Sequence, residues 1–239
     1  MYLSRLQLDF RSRVARRWLA DCHDLHRGIM SAFPHVETDA ARAALGVLFR
    51  LEYQRDGGAL VLVQSSARPD WSQAPAGAIA EVRGPKDITP LYAQLENERE
   101  LRFRLRANPT RRVSKWAAAP GSNRERPEAQ SAVGKRVELR GEAEQIAWLA
   151  RRGAERDGFE LLTVRAFPGG PGERAPAVRA DPGGKLRSRR KSRDLTLASV
   201  TFQGALRVTD VDRFRRALAE GVGPGKAFGC GLLSVMPMI

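Results

Sequence analysis

The chain has 239 residues, 42% hydrophobic and 28% charged, enough for one large domain or two of about 100 residues with their own cores. Lysine and arginine total 41 against 27 acidic residues, giving a net charge of +14 and a pI near 11.0. Such a field favours a polyanionic partner, either nucleic acid or an anionic membrane face.

The basic residues divide as 35 Arg to 6 Lys. Arg suits bidentate phosphate contact, but a genome rich in G and C also inflates Arg and Ala, so it is the net charge that points to a polyanion. Two cysteines, Cys22 and Cys230, are too few and too far apart in sequence for a disulfide framework or a zinc site. The opening MYLSRLQLDF carries charges and no apolar h-region, and no apolar run is long enough to span a bilayer. The expected setting is therefore the reducing cytoplasm. No basic amphipathic helix with bulky anchors stands out either, so a membrane partner is not expected.

Residues 2–8 alternate imperfectly and predict a strand. From Arg13 to Ala32, Trp18, Leu19, Cys22, Leu25, Ile29 and Met30 recur at three- and four-residue steps, which predicts one helix stopped by Pro34. The apolar runs 45–55 and 60–65 are joined by Asp56-Gly57-Gly58, a hairpin turn signal. Residues 88–95 predict a short helix, and LRFRLRA (101–107) alternates strictly, as a strand does. Strand, helix, strand, strand, helix, strand is the ferredoxin-like order.

Residues 113–134 break the pattern: Pro, Gly, Ser and mixed charge without apolar period predict a linker. The order then begins again. A strand is expected at 136–139, a helix in GEAEQIAWLARRGAE, strand-like sequence at 159–167, and a strand at 195–208. A helix capped by Thr209 or Asp210 and ended at Gly221 follows, then a last strand at 232–236. The expected architecture is α+β, two tandem ferredoxin-like (RRM-like) βαββαβ domains. Residues 1–112 form the first, 113–134 the linker and 135–239 the second.

Four features bear on chemistry. The segment GVGPGKAFGCGLLSV (221–235) suggests a phosphate loop, but it is one residue short of a Walker A motif and lacks its Ser/Thr. It also runs from helix to strand, the reverse of a nucleotide-triphosphate site, so no nucleotide cofactor is expected. Gly223, Gly225 and Gly229 either turn the chain tightly or let bare backbone approach a phosphodiester, with Lys226 adding charge. Six of the nine residues 185–193 are basic: Lys185, Arg187, Arg189, Arg190, Lys191 and Arg193. This internal run follows Asp181-Pro182-Gly183-Gly184 and reads as a basic hairpin or loop laid along RNA or DNA, or as a solvated surface. In the 101–107 strand, Arg102, Arg104 and Arg106 share one face, a row of guanidinium groups for a nucleic-acid backbone or for water. The aromatic base-stacking signature of an RNA-recognition sheet is absent, so backbone and shape should dominate recognition.

The fourth feature is ADCHDLHRG. His23 and His26 stand one helical turn apart, beside Arg27, in a chain with 3 histidines. Imidazole suits acid–base work near neutrality, and RNA cleavage by the ribose 2′-OH needs a base, an acid and cationic groups around the phosphorane. A structural role for the pair is the alternative. Zinc is disfavoured, since no Glu lies between the histidines and no third ligand suggests itself. His35 is read as a loop residue.

Together, MYLSRL, DLHRG followed by FP, FRLRANP, EAEQIAWL and GPGKAFGCGLLSV resemble the CasE (type I-E) CRISPR RNA-processing endoribonucleases of the RAMP superfamily. The resemblance runs over nearly the whole chain. It implies two ferredoxin-like domains and binding of the CRISPR repeat stem-loop. It further implies metal-independent cleavage at the 3′ base of the stem, leaving a 2′,3′-cyclic phosphate or 3′-phosphate and a 5′-hydroxyl. The enzyme would stay on the crRNA as a subunit of Cascade. No cofactor is implied. The family's catalytic histidine corresponds to His26, and its basic hairpin to residues 185–193. Relatives often carry tyrosine where His23 stands, so the second catalytic role falls either to His23 or to a basic residue. The rival reading is a non-catalytic RNA-binding scaffold subunit.

Overall fold

The computed structural model describes residues 1–38, 40–54, 57–113, 134, 136–165, 174–190 and 193–238. Its two main sheets are antiparallel. The first has the order β2-β3-β1-β4, from β1 (Tyr2–Leu8), β2 (Leu48–Tyr53), β3 (Ala59–Ser65) and β4 (Ile79–Asp87). That is the strand order of a ferredoxin-like unit. Leu6, Leu8, Phe49, Val61 and Val63 point to one face, and Trp18, Leu25 and Ile29 from two helices close over it.

The single helix expected at 13–32 is two helices, α1 (Arg13–Ala20) and α2 (Cys22–Met30). The hinge is Asp21, whose backbone is extended (φ −134°, ψ 114°) and whose carboxylate accepts the His23 N–H at 2.7 Å. An Asx cap of this kind ends one helix and starts the next, while the apolar period runs through unchanged. α2 packs on α1 at Gly28, against which the indole of Trp18 lies.

A short helix α3 (Ala41–Ala44) precedes β2, and α4 (Thr89–Ala93) follows β4, close to the helix expected at 88–95. The strand carrying LRFRLRA, β5 (Glu100–Ala107), does not close the first sheet as the order of elements suggested. It is an inner strand of the second sheet, whose order is β11 (Val178–Arg190), β12 (Arg193–Val208), β5 and β13 (Leu233–Pro237). β4 takes its expected place beside β1, with Leu6 opposite Val82. Strict alternation specifies one buried face but not which sheet the strand joins. The change from one sheet to the other therefore lies between Asp87 and Glu100, ahead of the division drawn at residue 112.

After β5, short strands β6 (Thr110–Arg112) and β7 (Arg136–Glu138) pair with each other, Arg112 opposite Arg136. Most of the expected linker, residues 114–133, lies outside the described residues. α5 (Glu142–Arg152) follows and runs into a wider turn over Gly153–Asp157. β8 (Phe159–Leu161) pairs with the end of β12, and β9 (Thr163–Arg165) pairs with β10 (Arg174–Pro176).

The Pro- and Gly-rich stretch before residue 184 contains strand. β11 (Val178–Arg190) and β12 (Arg193–Val208) form a long hairpin. The turn chemistry of Asp181-Pro182-Gly183-Gly184 makes a bulge in β11 rather than an end to it: Gly183 and Gly184 together face the single Ser199. α6 (Val211–Glu220), capped by Asp210 through the Arg213 N–H at 2.9 Å, leads to β13 (Leu233–Pro237). Phe103, Leu105, Phe202, Leu206, Phe214 and Leu218 fill the core beneath this sheet.

Buried polar side chains join the two sheets. Arg50 on β2 is 3% exposed, donates to the carbonyls of Arg104 (3.1 Å) and Leu232 (3.0 Å), and pairs with Glu52 at 2.7 Å. Gln64 donates to the Leu218 carbonyl at 2.6 Å and accepts from the Tyr92 hydroxyl at 2.6 Å.

Candidate active site

Asp21 sets where α2 begins, and α2 carries His23, His26 and Arg27. Both histidines are half-buried and Arg27 is exposed. The His26 ring stacks on Phe49, with centroids 6.1 Å apart and planes at 22°. Phe49 itself has no exposed surface, so this ring is a fixed backstop for the imidazole. Behind it stands Gly229, where a Cβ would lie 3.1 Å from the Phe49 ring, and whose φ of +82° also requires glycine. Gly225 and Gly229 bracket one 3₁₀ turn, Lys226–Phe228, which packs against α2. Gly223 belongs to the same loop, and a Cβ there would meet Trp148 at 3.1 Å.

A cleft of about 170 Å³ lies beside α2, bordered by Cys22 and Leu25 of α2, Phe49, Arg106, Phe228, Gly229 and the hairpin residues Lys185 and Arg187. The hairpin reaches α2 directly: the Cys22 thiol donates to the Arg187 carbonyl at 3.1 Å. Burial, reinforced by the Asp21 carboxylate, pushes that thiol up to about 11, so it remains a protonated donor at neutral pH. The Lys185 and Arg187 side chains are exposed. Arg189 and Arg190 continue the paired strand, opposite Asp194 and Arg193, and Lys191 lies outside the described residues.

Lys226 is half-buried on the glycine-rich turn. Its pKa is drawn down first by burial and then by the cations of Arg42 and Arg152. Among the described residues it makes no ion pair within salt-bridge distance; Glu220 and Asp157 partly offset the two cations, and Arg152 is itself paired with Asp157 at 2.8 Å.

The arginine row of β5 is not a single surface. Arg102 is exposed and Arg104 is half-exposed, 3.5 Å from Glu52. Both line a different and larger cleft of about 610 Å³, with Arg50, Glu52, Gln203 and Met236. That cleft uses Arg50 and Glu52 of β2, whereas the cleft beside α2 uses Phe49, Leu51 and Tyr53, so the two open on opposite faces of the strand. Neither cleft is lined by His23 or His26; the smaller one lies beside the helix that carries them. Arg106 is 8% exposed, and its guanidinium is spent on protein acceptors: Ser199 Oγ at 3.1 Å, the Gly183 carbonyl at 3.0 Å and the Leu51 carbonyl at 3.5 Å. The row expected to face one partner is thus divided between an open cleft, an ion pair and the protein interior.

The structure brings His23, His26, Arg27, the basic hairpin and the glycine-rich turn to one locality and leaves Arg102 and Arg104 elsewhere. Phe49, Arg50 and Ser199 are the residues that sequence reasoning passed over. Phe49 and Arg50 sit in an apolar strand run and Ser199 in an alternating one, and their partners come from distant segments.

Comparison with known proteins agrees over the full length. A family model described as CRISPR associated protein matches residues 1–237. The chain is 38% identical over 244 residues to the CRISPR-associated endoribonuclease Cse3 of Thermus thermophilus, covering 99% of this chain and 100% of that protein. It is 31% identical over 242 residues to the CRISPR system Cascade subunit CasE of Escherichia coli, covering all of both. Among solved structures, Cse3 bound to 19 nt RNA superposes with a TM-score of 0.78 at 36% identity, covering 99% of this chain and 100% of that one.

Proposed function

Since this chain belongs to the CRISPR-associated protein family that includes Cse3 and CasE, we propose that it is an endoribonuclease that cuts CRISPR repeat stem-loops and remains on the crRNA as a Cascade subunit. The observation that carries this reading is the meeting of two one-turn-spaced histidines on α2 with a basic hairpin latched to the same helix. The hairpin supplies phosphate contacts through Lys185, Arg187 and the arginines beyond them, and holds the stem in place. Lys226 and the backbone of the glycine-rich turn, which also packs against α2, add further phosphate contacts.

Cleavage follows 2′-OH attack on the adjacent phosphorus. One imidazole, that of His26, transfers a proton at the 2′ or 5′ oxygen, and His23 serves the other oxygen. Arg27 and the surrounding cations stabilise the phosphorane charge. The products are a 2′,3′-cyclic phosphate, open to hydrolysis to the 3′-phosphate, and a 5′-hydroxyl. Each proton-transfer group contributes about 10²–10⁴-fold. His26→Ala should therefore lower the single-turnover rate on repeat stem-loop RNA by at least about 10²-fold while leaving affinity near wild type.

A substrate with a 2′-deoxy sugar before the cut should bind and stay whole, and EDTA should leave the rate unchanged. Cleavage of the deoxy substrate, or a wild-type rate in His26→Ala, would refute the mechanism. Tight binding without any cut would favour the scaffold reading.

A further inference from the structure

The hairpin can guide a stem-loop to His26 only if its angle to α2 is fixed, and a two-stranded ribbon beyond the edge of a sheet has no rigidity of its own. The device that fixes it lies at the bulge. Pro182 pairs with Val200 and Lys185 with Ala198, so two glycines are squeezed opposite Ser199. A Cβ on Gly183 would stand 2.6 Å from the Ser199 hydroxyl, so that residue must be glycine for the strands to close here. The Ser199 hydroxyl donates to the Gly184 carbonyl at 3.1 Å and accepts from Arg106 Nε, also at 3.1 Å. Another arm of the same guanidinium takes the Gly183 carbonyl at 3.0 Å. Both carbonyls of the bulge, freed from the ladder, are thereby held from one point.

Arg106 is also tied to the other walls of the cleft. Its guanidinium reaches the Leu51 carbonyl on β2, and its own carbonyl accepts the Gly231 N–H of the glycine-rich segment at 2.7 Å. One buried residue thus joins the hairpin bulge, the strand that carries Phe49 and the loop behind Phe49. No carboxylate partners it among the described residues, so its bonds serve geometry, not charge neutralisation.

We infer that Arg106 and Ser199 form a clasp that sets the angle of the basic hairpin over α2, making them positioning residues that fix where a hairpin-bound RNA meets His26. This rests on the functional reading above and reassigns Arg106 from the RNA-contacting row to the frame. Displacements of about 1 Å at a reacting centre cost up to about 10²-fold in rate, so a loosened bulge should show in cleavage before it shows in binding.

The test uses Ser199→Ala, which deletes the hydroxyl, and Arg106→Lys, which keeps the charge but cannot reproduce a planar fork. Each is assayed on repeat stem-loop RNA for affinity, single-turnover rate and cut position, and for amide exchange along residues 178–204. Both variants should bind within about 3-fold of wild type, cut roughly 10- to 100-fold more slowly, and cut at more than one position. Exchange should quicken beyond the bulge. If Arg106 instead contacts phosphate, Arg106→Lys keeps rate and cut position and Ser199→Ala is silent, which overturns the clasp. Should wild-type protein leave the RNA whole, the functional reading fails on its own. Amide exchange then decides: unchanged protection in both variants refutes the clasp, and faster exchange beyond the bulge upholds it.

Discussion

Replacing Gly28 by alanine probes the packing that holds α2 in place. In an isolated helix the change would stabilise by up to about 1 kcal/mol, because glycine is a poor interior helix residue. Here the added Cβ would lie 2.1 Å from Trp18 Cζ2, 2.3 Å from Cε2 and 2.7 Å from Nε1. Trp18 is 4% exposed and enclosed by the first core, so its ring has nowhere to swing without opening that core. Overpacking of this kind costs about 1–3 kcal/mol, and contact with three ring atoms puts it at the upper end.

The net expectation is a loss of about 2 kcal/mol, which lowers Tm by roughly 4–8 °C for a chain of this size. Urea unfolding followed by tryptophan fluorescence and far-UV circular dichroism measures it. In a double-mutant cycle with Trp18→Leu, the two losses should fall short of additivity by about 1 kcal/mol, since the clash needs both side chains. A Gly28→Ala protein as stable as wild type, or more so, would show that propensity outweighs packing and that Trp18 does not hold α2.

Arg50→Met removes donors from two carbonyls and leaves Glu52 with the more distant Arg104. It should destabilise by roughly 2 kcal/mol in urea unfolding, and Glu52→Met added to it should recover part of the loss. Both cysteines hold their protons tightly, with Cys22 pushed up to about 11 and Cys230 to about 12, each chiefly by burial. Alkylation of Cys22 at pH 8 should therefore be about 10²-fold slower in the native protein than in urea, rising roughly tenfold per pH unit. The linked stability has a definite sign. Above the unfolded thiol range the native state binds more protons than the unfolded chain. Stability should thus fall as pH rises from about 9 toward 11, as denaturant midpoints at several pH values would register.

Most of the elements could be read from local pattern, because amphipathic periods and caps are written within a few residues of one another. The α5 and α6 helices, the β2–β3 hairpin and the His23–His26 spacing are of this kind. What could not be read depends on distant partners. Nothing in LRFRLRA says that it pairs with β12 and β13 rather than with β1, since either neighbour would bury Phe103 and Leu105. Asp21 sits inside an unbroken apolar period, and only its backbone shows that it ends one helix and caps the next. The three arginines of β5 share a face by parity, yet Arg106 is buried because the hairpin folds over that end of the strand. Glycines resisted reading for a related reason. Gly183, Gly28 and Gly229 look alike in sequence, but one admits a serine across a bulge, one an indole and one the ring behind His26.

The small β6–β7 pair places Arg112 and Arg136 directly across from each other. The segment that joins them therefore has its two ends already brought together by the fold, and the Gly134 N–H donates to the Val113 carbonyl at 2.8 Å. Under that condition the cost of extra length grows only logarithmically, about 0.6 kcal/mol for each doubling. With both ends fixed by β6 and β7, a change of length between them need not shift the strands on either side. Residues gained or lost between these ends, or a module inserted there, are expected to leave the hairpin and α2 where they are.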